Sequence, residues 1–396
     1  MNILFVHDHH FKISNEGFYS SGGLPATVWS RYLGIFDTVT VVGRNGGRLA
    51  SGDQGYTLSS TEGASFELLP SISDSTSLFF GNKLALQLCR DLVARHDGII
   101  ARLPSRLGHM FVEEAVKQGK PYAVEVVACA WDALWNYGNV KGKLFAPLAA
   151  LELKRTVAKS PFVLYVTSDF LQARYPCKNG YTISCSNVEV PPVPRIVLEN
   201  RLRKIKCSQG KLIFGLIGNY SSKYKGIDVA IRALALASGE LPSWELQVLG
   251  SGDHSYYSNL ASELGVADKV NFVGSLPSGK AVYGWLDNID IYLQPSFQEG
   301  LPRALVEAMS RGCPALASSI AGIPELLNPA QMISAGDYKA LSKKLNLLVS
   351  DDVRRLEISR QNFEKAADYY KPVLDERRTA FWTSFRCFIE EKECFN

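Results

Sequence analysis

The chain has 396 residues, of which 46% are apolar and 21% are charged, and this composition excludes a disordered chain. Its length is too great for one hydrophobic core, so two domains are the simplest expectation. The net charge of +4 is too small a bias to indicate a nucleic-acid partner, although it suits anionic ligands or an anionic membrane surface.

The first half of the chain alternates short apolar runs with longer amphipathic ones. The apolar runs predict buried strands at 2–7, 38–43, 97–102, 121–127 and 162–167. The stretches 78–96, 108–119 and 143–160 have an apolar spacing close to 3.6 residues and are long enough for crossover helices. This alternation predicts a parallel, doubly wound α/β sheet covered by helices.

A second α/β series follows a segment that reads as a linker. Residues 191–210 begin with three prolines in four positions and continue as a basic polar run. They separate a predicted domain at 1–190 from a second one at 211–372. The second domain has strands predicted at 211–218, 244–250, 269–274, 290–296 and 313–318, and helices at about 226–238, 255–264, 302–311 and 337–349. The final helix, at about 373–396, is expected to pack back on the N-terminal domain.

In open parallel sheets, ligands bind beyond the carboxyl ends of the strands. Two such domains that face each other therefore predict a deep interdomain cleft. The segments expected to reach it are 20–29, 217–226 and the stretch that follows 290–296.

Several simple site types are absent from the sequence. The eight cysteines include no C-x-x-C pair, so zinc and redox spacings are missing and reduced thiols in a cytoplasm fit best. The apolar run at the N-terminus has no basic residue before it and is far shorter than the roughly 20 residues of a membrane span. His7, His9 and His10 could bind a metal in principle. A polar loop or a cleft lining is the favoured interpretation.

Two glutamates flank a Gly-Leu-Pro turn in the segment 296–318. Pro302 suits the first position of a helix, because its missing N–H would have no partner there. The helix then begins just after Glu299, Gly300 and Leu301. Free amides and the positive dipole end at a helix start favour a phosphate group. The alternative is that Glu307 forms an exposed i, i+4 pair with an arginine and that Glu299 is a surface charge.

The segment 295–327, which reads PSFQEGLPRALVEAMSRGCPALASSIAGIPELL, resembles the signature of glycosyltransferase family 4, in which seven residues separate two glutamates. The stretches 215–234, 244–277 and 20–33 resemble further parts of that family. The resemblance covers 211–330 strongly and the N-terminal half in outline. It implies a GT-B fold with two facing Rossmann-like domains, and transfer of a sugar from a nucleotide donor with retention at the anomeric carbon.

The resemblance also implies roles for individual residues. Glu307 would hold the ribose hydroxyls of the donor, and Glu299 the hydroxyls of the transferred sugar. Lys225 would neutralise the diphosphate, whose charge grows as the glycosidic bond breaks. The family commonly has an arginine directly after Gly218, where this chain has Asn219. Lys223 is a candidate substitute, and a solvated surface charge is the alternative for it.

The N-terminal half offers weaker candidates. Gly22 and Gly23 would let the backbone approach the donor phosphates closely, unless they form a plain flexible loop. A histidine found near the transferred sugar in many family members is missing, and Asp132 and Glu125 are the best polar candidates in its place. An aromatic platform for an acceptor sugar, or packing of an aromatic loop, would involve Trp131, Trp135 and Tyr137. His109, which begins a helix, is favoured as a surface or core residue.

The resemblance implies a retaining glycosyltransferase of polysaccharide biosynthesis. Its partners would be a nucleoside-diphosphate sugar and a glycan or lipid-linked glycan acceptor, with peripheral contact at the inner face of the cytoplasmic membrane. No metal, cofactor or nucleic acid is implied, and the leaving phosphate itself can accept the proton of the acceptor hydroxyl. The alternatives are a GT-B epimerase or phosphorylase and a non-catalytic nucleotide-sugar-binding subunit. A dehydrogenase is disfavoured, because no G-x-G-x-x-G loop follows either first strand.

Overall fold

The computed structural model describes residues 1–53, 55–69, 83–135, 140–207 and 210–394. The chain forms two compact units. The first comprises Met1–Cys185 together with the described residues from Asp375 onward, and the second comprises Ser186–Leu374. Each unit is built on its own β-sheet.

The first unit contains nine strands and six helices before the chain enters the second unit, within the described residues. The strands are β1 (Asn2–Ser14), β2 (Gly17–Ser20), β3 (Thr38–Arg48), β4 (Thr57–Leu58), β5 (Ala64–Leu69), β6 (Gly98–Leu103), β7 (Tyr122–Val126), β8 (Phe162–Tyr165) and β9 (Tyr181–Ser184). The helices are α1 (Ala26–Leu33), α2 (Lys83–Arg95), α3 (Arg106–Lys117), α4 (Ala130–Trp135), α5 (Val140–Lys159) and α6 (Phe170–Arg174).

The parallel strands of the first unit lie in the order β5-β3-β1-β6-β7-β8-β9. The order reverses between β1 and β6, which is the topological switch point of a doubly wound sheet. Two antiparallel pairs, β1 with β2 and β2 with β4, extend this sheet. The continuous burial of residues 3–6 on β1 and 99–101 on β6 explains why these runs read as fully buried strands.

The first strand differs from its prediction. It runs to Ser14 instead of ending near residue 7, because its second half pairs with β2 in a hairpin. His7, His9 and His10 are therefore strand residues, and the prediction that they form a loop after the first strand is wrong. The hairpin could not be predicted from the sequence, because its turn residues are Asn15 and Glu16 and not one of the glycine-containing pairs typical of hairpin turns.

The second unit has a six-stranded parallel sheet in the order β12-β11-β10-β13-β14-β15. Its strands are β10 (Leu212–Ile217), β11 (Trp244–Leu249), β12 (Val270–Gly274), β13 (Ile291–Gln294), β14 (Ala315–Ser318) and β15 (Met332–Ile333). Its helices are α7 (Arg195–Cys207), α8 (Ile227–Ala237), α9 (Ser255–Glu263), α10 (Lys280–Asn288), α11 (Arg303–Ser310), α12 (Tyr338–Val349) and α13 (Asp352–Ala366), and α14 (Lys371–Cys394) starts at its end. The switch point of this sheet lies between β10 and β13.

The segment 191–210, marked by its prolines as a linker, contains helix α7, which lies within the second unit. Arg201 is buried and donates hydrogen bonds to the backbone carbonyls of Ile289, Leu286 and Arg311. These carbonyls lie at helix ends, where acceptors lack intrahelical partners. The polar run therefore satisfies buried acceptors, and the boundary between the units falls at 185/186.

Helix α14 begins in the second unit and continues in the first. Its residues Phe381, Trp382 and Phe385 are fully buried. The ring of Trp382 lies 5.4 Å from that of Tyr32 on α1. The C-terminal helix thus supplies part of the core of the first unit.

Candidate active site

The strongest candidate site lies at the switch point of the second sheet. A pocket of about 410 Å³ opens there, lined by residues that follow β10 and β13 and by the start of α11. Its lining includes Gly218, Asn219, Lys225, Gln294, Pro302 and Glu307. This is the place where doubly wound sheets bind ligands, since the helices on the two sides of a switch point diverge and leave a crevice.

Glu299 is held by three donors that meet at one of its oxygens. Lys225 Nζ lies 2.8 Å from Glu299 Oε1, and Gln294 Nε2 and Ser296 Oγ each lie 2.7 Å from the same oxygen. The Glu299 side chain is only 8% exposed, so its charge needs such compensation. Within the described part of the chain, Oε2 accepts no hydrogen bond, and Glu299 itself is not part of the pocket lining.

The orientation of the Gln294 amide is fixed by a buried tyrosine. The hydroxyl of Tyr292 donates to Gln294 Oε1 over 2.9 Å, which turns the NH₂ group toward Ser296 and Glu299. Tyr292, Gln294 and Ser296 are all buried. β13 and the loop after it thereby set the direction of the Glu299 carboxylate before any ligand arrives.

Glu307 lies on α11 and lines the pocket, and its carboxylate has no hydrogen-bond or ion-pair partner among the residues that the structure describes. Burial raises the pKa of its carboxyl, an effect that the charge of Arg303 partly offsets. Arg303 Nη1 donates to the carbonyl of Glu189 over 3.2 Å, and no ion pair joins Arg303 to Glu307 among the residues described. The alternative of an exposed i, i+4 pair is therefore wrong. A half-buried carboxylate that lacks hydrogen bonds is suited to accept them from ligand hydroxyls.

The loop that carries Lys225 is fastened to the loop after β13 by a glycine. Gly226 has φ of 70°, and a Cβ at this position would lie 2.0 Å from the carbonyl oxygen of Pro295. The amide of Phe297 also donates to the carbonyl of Tyr224 over 2.7 Å. Only glycine permits this approach, and the approach places Lys225 beside Glu299.

The other predicted residues of this region occupy different positions. Asn219 is exposed at the pocket rim, where its Oδ1 accepts from the amide of Ser221 over 2.8 Å. Lys223 Nζ lies 4.5 Å from the ring centroid of Tyr256 and is not part of the pocket lining. Gly300 and Leu301 precede α11 outside that lining, and the carbonyl of Gly300 accepts from Gly322.

Sequence reasoning missed Tyr292, Gln294 and Ser296. The three residues occupy alternate positions, Tyr292 and Gln294 on β13 and Ser296 in the loop after it. The available signal was a pair of polar residues, Gln294 and Ser296, at the end of an otherwise apolar run. It also missed Gly250, where a Cβ would lie 1.9 Å from the carbonyl oxygen of Gly218. That contact joins the loops after β10 and β11 at the pocket floor.

The candidates of the first unit form separate groups. Asp132 is paired with Arg174, with 3.0 Å between Oδ1 and Nη1. Trp131 and Trp135 stack on each other with ring centroids 5.2 Å apart, and the predicted third member of this platform, Tyr137, lies outside the described residues. Glu125 is buried and accepts from the hydroxyl of Tyr32 over 2.6 Å.

The glycine pair and the histidines lie around β1. Gly22 adopts φ of 95° in the loop before α1, and Gly23 faces the ring of His9. Burial lowers the pKa of both His7 and His9 to about 4, and the charge of Arg102 adds to this for both. Both rings are therefore neutral at pH 7. His109 is buried too, with Nδ1 2.9 Å from Thr156 Oγ1, in agreement with a core role.

Among the described residues, no group of three or more His, Cys, Asp or Glu side chains has the arrangement of a metal site. None of the described helices combines the length and the apolar character that crossing a bilayer requires.

Comparison with known proteins places the second unit in a recognised family. The family model "Glycosyl transferases group 1" matches residues 199–368. Protein CapJ of Staphylococcus aureus is 31% identical over 372 residues, which cover 93% of this chain and 92% of CapJ. The amylovoran biosynthesis glycosyltransferase AmsK of Erwinia amylovora is 33% identical over 128 residues, covering 30% of this chain and 31% of AmsK.

A solved structure shows the same fold. The Anabaena protein HepE in complex with UDP superimposes with a TM-score of 0.63 at 16% sequence identity, covering 97% of this chain and 100% of that one. At this identity the likeness concerns the fold alone. The expected α/β architecture of GT-B type, with two parallel-sheet domains, is confirmed.

Proposed function

The chain belongs to the group 1 glycosyltransferases, and from this premise we propose that it is a retaining enzyme of the family 4 type that uses a nucleoside-diphosphate sugar. The donor would bind in the pocket between β10, β13 and α11. One observation carries this proposal: Lys225 and Glu307 line one pocket, and Lys225 also pairs with Glu299, whose second carboxylate oxygen accepts no hydrogen bond among the described residues.

Each of these groups suits one part of such a donor. A nucleoside-diphosphate sugar has hydroxyls on both sides of two charged phosphates. In the proposed complex, Glu307 accepts from the ribose hydroxyls and Glu299 Oε2 from the hydroxyls of the transferred sugar. The ammonium of Lys225 and the free amides in the first turn of α11, whose residues Arg303 and Ala304 line the pocket, would face the diphosphate. Gly218 lets the ligand approach the backbone after β10 closely.

The proposed reaction breaks the bond between the anomeric carbon and the phosphate oxygen while the acceptor hydroxyl attacks the same face. Negative charge grows on the leaving diphosphate, and the fixed ammonium of Lys225 stabilises it. The acceptor proton passes to the leaving phosphate, so the proposal requires no side-chain base and no metal. Asp132 is the candidate for a supporting role at the acceptor.

For the acceptor we propose a glycan or lipid-linked glycan of a surface polysaccharide, handled at the inner face of the cytoplasmic membrane. This proposal is supported by the similarity to AmsK, an amylovoran biosynthesis glycosyltransferase. Trp131 and Trp135 offer stacked flat faces of the kind that pyranose rings contact.

The donor site is tested by thermal denaturation of the purified protein with UDP, GDP, CDP, ADP and TDP in turn. A ligand at a hundred times its Kd stabilises the native state by about 2.7 kcal/mol, which raises Tm by roughly 5 °C or more. We expect one of the nucleotides to do so. Glu307→Gln should reduce the shift strongly, whereas Glu263→Gln, an exposed carboxylate on α9, should retain it.

A normal shift in the Glu307→Gln protein, or no shift with any nucleotide, would contradict the donor-site assignment. Turnover separates a transferase from the remaining alternatives. A transferase releases nucleoside diphosphate faster when its acceptor is present, an epimerase interconverts sugars without net transfer, and a binding subunit does neither.

A further inference from the structure

Helix α5 exposes a cluster of large apolar side chains. Leu144, Phe145, Leu148 and Leu151 have 72%, 55%, 63% and 43% of their surface exposed, all within two turns of helix. We call these four side chains the α5 outer face. Single exposed leucines are ordinary on protein surfaces, but a cluster of this kind is typical of a surface that contacts another apolar phase.

The three leucines of the outer face lie opposite the side of α5 that packs on the core, and Phe145 flanks them. Ala146, Leu153 and Val157 are fully buried and share one side at spacings of seven and four residues. Leu144, Leu148 and Leu151 share the other side. Between residues 144 and 157, α5 therefore carries apolar side chains on two opposite sides, which is the pattern of a helix covered on both sides.

The charge of the helix indicates what covers it. α5 carries five basic residues and one acidic residue. The stripe that contains Leu144, Leu148 and Leu151 continues at the same spacing with Arg155 and Lys159, and both are exposed. The outward side of α5 thus presents an apolar part followed by a basic part, which suits the acyl chains and the anionic headgroups of one lipid leaflet.

An aromatic residue with an adjacent lysine lies beside the outer face. Trp135, at the end of α4, is 42% exposed, and Lys143 Nζ lies 5.7 Å from its ring centroid. Tryptophan and lysine favour the boundary between headgroups and acyl chains, because an apolar body and a polar tip are satisfied there together. The pair extends the same surface.

We infer that the α5 outer face, with Arg155 and Lys159, is a docking surface for an anionic lipid bilayer. A second copy of the chain fits it less well, because pairing two such faces brings two sets of like charges into one interface. The inference rests on the proposed function only for its biological meaning, since docking here would bring the protein to lipid-linked acceptors.

The test is flotation of the purified full-length protein with lipid vesicles, one preparation of phosphatidylcholine alone and one of equal parts phosphatidylcholine and phosphatidylglycerol. The wild-type protein should float with the anionic vesicles and much less with the neutral ones. The double variant Leu144→Gln/Leu148→Gln should bind at least about tenfold more weakly. Arg155→Gln/Lys159→Gln should lose about fivefold per charge removed at low salt.

The matched control is Leu347→Gln/Val353→Gln, which replaces side chains that are 59% and 76% exposed elsewhere in the chain. It should bind like the wild type. Absence of wild-type binding, or equal loss in the control and in the α5 variant, overturns the inference. Light scattering gives a second way to overturn the inference. If the wild type has a molar mass above that of one chain and Leu144→Gln/Leu148→Gln has the mass of one chain, a second copy covers the face.

Nucleotide thermal shifts on the same proteins keep the two proposals apart. The α5 variants should retain the donor-induced rise in Tm, because their substitutions lie in the first unit and outside the pocket lining. An α5 variant that loses vesicle binding but keeps the nucleotide-induced rise in Tm supports the bilayer surface. A wild-type protein that shows no nucleotide-induced rise in Tm contradicts the donor site and leaves the bilayer proposal unaffected.

Discussion

At the scale of single residues, the site depends on how the Glu299 carboxylate is divided between protein and ligand. One oxygen is used by Lys225, Gln294 and Ser296, and the other has no hydrogen bond among the described residues. This arrangement requires that the side chains that donate to Glu299 keep a fixed orientation. The buried Tyr292–Gln294 hydrogen bond supplies this restraint, since a buried donor that loses its acceptor costs about 1–3 kcal/mol.

Gln294→Leu should therefore reduce the proposed transfer by removing one of the groups that hold the Glu299 carboxylate in place. It deletes one donor to Glu299 and leaves the Tyr292 hydroxyl without its acceptor. We expect kcat/KM for the donor sugar to fall about fivefold to 150-fold, the range that corresponds to about 1–3 kcal/mol.

The control is Gln361→Leu on α13, an exposed glutamine of the same unit, which should leave kcat/KM unchanged. If Gln294→Leu has normal kinetics with correct folding, the restraint on Glu299 has no role in turnover.

Glu307 should make the stability of the ligand-free protein depend on pH. Burial raises the folded-state pKa of this carboxyl above its unfolded value of 4.5. The native state then binds the proton more tightly, so the stabilisation is present below the unfolded pKa and is lost as pH rises through the folded pKa. Glu307→Gln should gain Tm relative to the wild type at pH 7, and the gain should shrink near pH 4.

Thermal denaturation of both proteins without nucleotide, across this pH range, measures the difference. An equal Tm difference at pH 7 and pH 4 would show that the carboxyl does not carry an unfavourable charge in the empty pocket.

At the scale of elements, the strands and helices of the second unit could be predicted well, because each buried strand is a continuous apolar run. β10, β11 and β13 lie within a few residues of their predicted bounds. The β1–β2 hairpin and helix α7 could not be predicted in this way. The hairpin lacks a distinctive turn pair, and α7 is a polar helix whose Arg201 is satisfied only by carbonyls from distant parts of the chain.

The same limit applies to the site. The two glutamates and Lys225 follow from a motif, whereas Gln294 and Ser296 act through hydrogen bonds that the spacing alone does not reveal. Lys223 shows the converse case. Its position in the loop fits a phosphate contact, but its ammonium lies over Tyr256.

The contact between the Lys225 loop and the loop after β13 should fail if Gly226 acquires a side chain. Gly226→Ala places a Cβ against the Pro295 carbonyl and forces alanine into a left-handed backbone conformation. We expect a loss of at least about 2 kcal/mol in the free energy of unfolding, together with a weaker nucleotide-induced rise in Tm.

Urea denaturation measures the first effect. Gly239→Ala is the matched control, because its Cβ would meet no atom within 4 Å. Equal stability of the two variants would show that the loop contact can relax at little cost.

At the scale of the whole molecule, the first unit is completed by the last helix of the chain. The aromatic side chains of α14 are buried among rings from the N-terminal half, such as Tyr32 and Phe162. The sequence suggests that the C-terminal helix packs on the N-terminal unit, because the aromatic side chains of an amphipathic helix must be buried against a core. It does not reveal which strands and helices the tail packs on, since those contacts join residues more than 200 positions apart.

Trp382→Ala should destabilise the protein by about 3–5 kcal/mol, the cost of removing a buried indole and leaving a cavity. The loss should appear in the first of two thermal transitions if the units unfold separately, and the nucleotide-induced shift should then persist in the other. Thr383→Ala, an exposed neighbour, should change little. Calorimetry provides the measurement, and a Trp382→Ala protein with unchanged Tm would refute the importance of this packing.

The 2.8 Å contact between Lys225 and Glu299 has a consequence for discrimination among anions. In the empty pocket the ammonium is already neutralised, so a simple ion such as inorganic phosphate finds little net attraction there. In the proposed complex a nucleotide sugar differs, because its hydroxyls would bind the carboxylate while its phosphates bind the amine. If the proposed complex is correct, the pair favours ligands that carry a sugar and a diphosphate on one molecule over either group alone.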